Sequence, residues 1–250
     1  MFPVRSPREN LMKALAAIIL LVSLGASAQQ PTSAKPEDKT AVIRFFAEVN
    51  PGTTGILLQT VDTQFKSGTR KFILLMSSGG GDVLSGFMVY NYLKGLPIEL
   101  TTFNVGNVDS AASVIYCAGS KRYAVPEARF IIHELSLTFT ANGPGQMSID
   151  LPSLEAQISL LKSQETSMAR ILATTIGKPQ SEAETKIHTQ TALSSEEAQK
   201  WGLVQDIRTQ LFDPANATLV SAVVPNQPVI EHSSPTLPTI PQFSYSSVKH

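Results

Sequence analysis

The feature that most narrows the fold is a strand-length apolar run, Lys71-Phe72-Ile73-Leu74-Leu75-Met76, that ends directly on Ser77-Ser78-Gly79-Gly80-Gly81. A run without polar alternation is buried on both faces, as strands of a parallel sheet are. Beyond the glycines, a segment from about Val83 to Lys94 carries Val83, Phe87, Tyr90 and Leu93 on one helical side. Parallel strands need a crossover, and a helix supplies it. The same alternation recurs along the chain. Strands are expected at Ala41–Phe46, Ile98–Phe103, Arg129–Ile132 and Leu203–Ile207, and helices at Thr54 to about Phe65 and Asp109–Ala118. A long helix is expected from Ser153 to about Ile176, stopped by Gly177-Lys178-Pro179. A short one opens at Ser194-Ser195-Glu196-Glu197, with Ser195 as N-cap and the acids at the positive end of the dipole. Strands alternating with helices predict an α/β fold.

The two ends differ from this middle. Arg5, Arg8 and Lys13 precede an apolar run from Ala14 to about Leu24, and Ala26-Ser27-Ala28 follows. A positive start, a short apolar stretch and an A-x-A site predict a signal peptide over residues 1–28, cleaved near Ala28. The run falls short of the ~20 residues that span a bilayer. Residues 29–40 then form a linker, 41–210 the folded domain, and 211–250 a Pro/Ser-rich tail expected to lack fixed structure. The mature protein is expected outside the cytoplasm, periplasmic or extracellular. The formal net charge is zero, so no basic excess exists to hold a phosphate backbone and nucleic acid is not an expected partner. The single cysteine, Cys117, has no intramolecular disulfide partner and is expected to be a small buried residue. No Cys/His cluster with metal spacing occurs, and no cofactor is expected.

Three local features could carry chemistry. The glycine turn at 79–81 lets backbone amides approach a ligand, whether a phosphate or a developing oxyanion, though such turns also serve packing. It lacks the Gly-Lys-Ser/Thr ending of a phosphate loop. Gly106-Asn107-Val108-Asp109-Ser110-Ala111-Ala112-Ser113 passes from a strand into a helix. A serine there lies near free amides and the helix's positive end, but Asp109 or Ser110 could equally be a plain N-cap. His133 ends the Phe130-Ile131-Ile132 strand, as a satisfied core residue or as a general base at the sheet's edge.

Together these segments resemble the proteolytic subunit of the Clp protease, within the wider Clp-protease/crotonase superfamily, from about Val42 to Ile207. Ser78-Gly79-Gly80-Gly81 with Gly86 resembles that family's glycine turn. Thr102 to Gly106, then Ser110 and Ala118-Gly119, resembles its strand, nucleophile and Ala-Gly. Arg122, Pro126 and Ile131-Ile132-His133 resemble its approach to the catalytic histidine, and Leu193 to Ala198 with Trp201-Gly202-Leu203-Val204 its closing helix and strand. Ala111-Ala112-Ser113-Val114 also resembles the family's Ala-Ala-Ser-Met, but only Ser110 keeps Gly81, Gly106 and Gly119 in register. The resemblance implies a spiral of β-β-α units with a long protruding helix. It implies a serine-type endopeptidase with Ser110 as nucleophile, His133 as base, and the amides of Gly81 and Ala111 as oxyanion hole. It also implies a peptide or unfolded-protein substrate and a homo-oligomer whose rings meet through the long helix. Outside the cytoplasm no ATP drives an unfolding ring, so no ATPase partner is expected.

The third triad position departs from the family, which has Asp where this chain has Gln190. A neutral amide can orient a histidine but stabilises imidazolium poorly. A Ser–His dyad, an acid from elsewhere, and a weak or lost activity all remain open. Glu134 follows His133 directly, so its side chain is expected to point away. The alternatives are an inactive binding or assembly protein on the same scaffold, a crotonase-type acyl-CoA enzyme, and a Ser–Lys peptidase using Lys121.

Overall fold

The computed structural model describes residues 40–136 and 150–221, and the proposed signal peptide lies outside them. Three successive parallel strands start the fold: β1 (Thr40–Phe45), β2 (Lys71–Ser78) and β3 (Glu99–Asp109). Helices α1 (Pro51–Lys66) and α2 (Val83–Gly95) make the crossovers. Each helix is started by its sequence. Asn50 accepts from the Thr53 amide while Thr53 answers the Asn50 amide, a reciprocal cap followed by Pro51. Asp82 accepts from the amides of Leu84 and Ser85.

After β3 come α3 (Ala111–Tyr116), β4 (Lys121–Ala124), β5 (Arg129–Ile132), α4 (Leu151–Ile176), α5 (Gln180–His188), β6 (Thr191–Ser194), α6 (Ser195–Trp201), β7 (Asp206–Ile207) and β8 (Ala217–Ser221). The sheet order is β6-β5-β3-β2-β1-β8, with β4 pairing both β3 and β7. Every pairing is parallel except β5 with β6. The fold is mixed α/β on a mostly parallel sheet.

Strand β3 changes partner midway. Thr101–Asn104 pairs with β4, and Asn107–Asp109 with β5. Buried Asn104 joins the two ladders: its Nδ2 donates to the Arg129 carbonyl at 2.8 Å, and its Oδ1 accepts from the Gly106 amide at 3.0 Å. Beside it, the β2–β3 register shifts between Met76 and Ser78, an irregularity that redirects the end of β3.

Both faces of the sheet are covered. The main core includes Ile43, Phe45, Leu57, Phe72, Leu74, Ile115, Tyr116, Phe130 and Leu172. A smaller cluster on Val42, Leu75 and Phe103 is roofed by Tyr123, Leu211 and Phe212. Arg122 is buried and ties distant segments together. Its guanidinium donates to the carbonyls of Gly119, Thr175 and Leu203 at 3.0–3.2 Å. Helix α4 has 26 residues, so it is about 39 Å long. Its first half is mostly exposed and only its end packs, through Met168, Ala169, Leu172 and Ala173. Among the described residues, no helix is long and apolar enough to cross a membrane.

Several expectations change. The strand expected to end at Phe103 runs on to Asp109, and the next helix starts at Ala111 rather than Asp109. The cap of α6 is Ser194, not Ser195. Ser195 is buried, and its hydroxyl donates to the carbonyls of Val125 and Ala128. The strand expected over Leu203–Ile207 is only Asp206–Ile207. The tail expected from residue 211 holds structure to 221: Leu211 and Phe212 cover the smaller cluster, and β8 pairs with β1 and becomes the edge of the sheet. Pro214 lies in the turn that precedes β8, and no further proline interrupts the chain before Pro225. Cys117 is buried as expected, and burial pushes its thiol up to about 11.

Candidate active site

Ser110 occupies the turn between β3 and α3 with φ 51° and ψ −126°. A non-glycine residue rarely adopts a positive φ, and such strain of about 1–3 kcal/mol persists only where neighbours enforce it. Those neighbours are evident. The Ser110 amide donates to the Ile131 carbonyl at 2.7 Å, fastening the turn to β5. The Ser110 carbonyl accepts from the amide of Ser113 at 3.0 Å and from its hydroxyl at 2.6 Å. Ser113 is thus committed to the backbone and wholly buried. Ser110 stands at the N-cap position, but its side chain makes no capping bond. Its hydroxyl has no hydrogen-bond partner among the described residues. Asp109 does not cap either. Its Oδ2 accepts from Asn107 at 2.9 Å and Arg129 at 3.4 Å, while its Oδ1 is buried without a partner among the described residues.

The glycine turn lies directly against this serine. A Cβ on Gly80 would stand 2.7 Å from the Ser110 Cβ and 3.2 Å from the Ala111 amide nitrogen. Gly80 has φ 88° and Gly81 φ 136°, conformations that glycine alone adopts freely. Val49 anchors the turn from both sides: its amide donates to Gly80 and its carbonyl accepts from Asp82, each at 2.7 Å. The bracketed Gly81 is exposed, and its amide has no acceptor among the described residues. Ala111, as first residue of α3, likewise has an amide without a helical acceptor. One uncommitted amide thus follows the serine directly in the chain, and a second follows the Gly80 that packs against it.

His133 follows β5, two residues beyond the Ile131 carbonyl that holds Ser110. The histidine and the serine therefore belong to one edge of the sheet. The two side chains are not hydrogen-bonded to each other. His133 Nδ1 instead donates to the Glu134 carbonyl at 2.6 Å, since a carbonyl can only accept. Glu134 sends its side chain elsewhere, to His188 Nδ1 at 2.7 Å.

Gln190 is brought near but not onto the histidine. The β5–β6 register pairs Ile132 with Thr191, and one more step sets Gln190 opposite His133. Gln190 is exposed, has φ 48°, and its side chain makes no hydrogen bond among the described residues. Lys121 pairs with Thr101 at the far end of β3, and its amine is bound to Glu99. The Ser–Lys alternative thereby loses its lysine. Sequence reasoning missed the Glu134–His188 pair. Its only trace there was a histidine in a polar stretch, which becomes meaningful once α5 folds against α4.

Comparison with known proteins agrees with this architecture. The family model for Clp protease matches residues 39–210. The "ATP-dependent Clp protease proteolytic subunit 2" of Frankia casuarinae is 26% identical over 154 residues, 61% of this chain and 67% of that protein. A ClpP1 mutant from Listeria monocytogenes has a similar fold, with a TM-score of 0.59 at 20% identity over 69% of this chain and 92% of the other.

Proposed function

Because the chain belongs to the Clp protease family, we propose that it is a serine peptidase with Ser110 as nucleophile and His133 as general base. The observation that carries this reading is Ser110 itself. It is held at a positive φ, free of any capping bond, against a glycine turn with an uncommitted amide. A plain N-cap has no need of that strain.

In the proposed reaction, the Ser110 oxygen attacks the carbonyl carbon of a peptide bond while His133 takes the hydroxyl proton. The carbonyl oxygen gains negative charge and accepts from the amides of Gly81 and Ala111. The C–N bond breaks, and His133 returns the proton to the leaving amine. Water then attacks the acyl-enzyme by the same route and frees Ser110.

The chain acts as a homo-oligomer on peptides or unfolded proteins. The mostly exposed first half of α4, with Leu151 66% and Leu160 51% exposed, offers apolar surface for a second copy. Export through residues 1–28 would leave it working outside the cytoplasm without an ATPase.

Gln190 favours a second reading, an inactive binding or assembly protein, because its exposed side chain gives no acid to His133. A fluorophosphonate probe separates the two. Labelling of folded wild-type protein at Ser110, abolished by Ser110→Ala and slowed about 10²–10⁴-fold by His133→Ala, supports the peptidase. Absence of labelling in folded protein supports the scaffold.

A further inference from the structure

A catalytic histidine needs its second nitrogen held, because that bond fixes both tautomer and ring orientation. In the family pattern an acid does this, and here the position is Gln190. Yet His133 Nδ1 already has a partner, the Glu134 carbonyl at 2.6 Å. That carbonyl belongs to a pinned peptide. The next amide, Leu135 N–H, donates to Glu165 Oε1 at 2.9 Å. The Glu134 carboxylate meets His188 Nδ1 at 2.7 Å. The segment after β5 is thus tied once to α4 and once to α5. Lys162 and Glu165 of α4, and Glu184 and His188 of α5, line one cleft with Glu134.

We propose that the Glu134 carbonyl takes over the orienting part of the absent triad acid, with Glu165 and His188 as positioning residues. This rests on His133 being the general base. Nδ1–H donates to the carbonyl, which leaves Nε2 with the lone pair that accepts the Ser110 proton. The carbonyl takes no proton at any stage. It orients the ring without a full opposing charge.

The test combines tautomer and kinetics. Nitrogen-15 NMR of histidine-labelled full chain should show neutral His133 protonated at Nδ1. Glu165→Leu should mix the tautomers and lower kcat about 10- to 100-fold with KM little changed. Glu165→Gln keeps an oxygen for the Leu135 amide and should restore both. His188→Ala, at an exposed position, should loosen the tautomer in the same direction. An unchanged tautomer in both Glu165→Leu and His188→Ala overturns the proposal. Failure of Ser110 to label would instead sink the peptidase reading, while the tautomer measurement still decides this one.

Discussion

Gly80 and Ser110 touch so closely that a methyl group on the glycine would lie 2.7 Å from the serine Cβ. The glycine turn and the strained serine are therefore one unit, and neither can be altered without moving the other. Gly80→Ala is expected to cost roughly 2–4 kcal/mol, since it adds positive-φ strain to a clash with the Asp109 carbonyl and Ser110. Urea unfolding gives the stability, and fluorophosphonate labelling at low denaturant should slow in parallel.

Ser110→Gly should make the protein more stable by about 1 kcal/mol while removing the nucleophile. Glycine adopts the φ of 51° without penalty. Ser110→Ala keeps the strain and should stay within about 0.5 kcal/mol of wild type. Equal melting temperatures for the two variants would remove the case for strain at this turn.

Asn104→Leu should cost about 2–4 kcal/mol. It leaves the Arg129 carbonyl and the Gly106 amide without their partner at a buried position. Amide hydrogen exchange should rise at Asn107–Asp109, which pair with β5, more than at Thr101–Thr102, which pair with β4.

Cys117 should resist thiol reagents in native protein at pH 8 and react on unfolding. Burial raises its thiol from the usual 9.0 to about 11. Below pH 9.0 both states keep the proton, and the thiol leaves stability unaffected. Between 9.0 and about 11 the unfolded chain releases it while the folded chain retains it, so stability falls as pH rises. Cys117→Ala should flatten that part of the profile in urea titrations from pH 8 to 11.

The α/β class and most elements were legible because they rest on local patterns. The apolar run into β2, the Gly177 stop of α4 and the small residues around Ser110 each act within a few positions. What escaped depends on distant partners. The extension of β3 to Asp109 follows from a second neighbour, β5, that no local pattern announces. Helix α5 was missed because Gln180–His188 is polar, with only Ala183 and Ile187 facing the core. The capping role passed from Ser195 to Ser194 because Ser195 points inward to the carbonyls of Val125 and Ala128. For the site, types and order of residues were readable, whereas the grip of Glu134 on His133 is a main-chain interaction that side-chain identity does not encode.

The exchange of neighbours along β3 gives one strand two successive partners on the same side. Thr101–Asn104 lies between β2 and β4, and Asn107–Asp109 lies between β2 and β5, with Val108 opposite Ser78. Ser110 and the segment leading to His133 therefore leave the sheet from adjacent, directly bonded strands. The spacing of the two groups in the proposed proton transfer is inherited from a backbone ladder seated on the buried Val108 and Phe130.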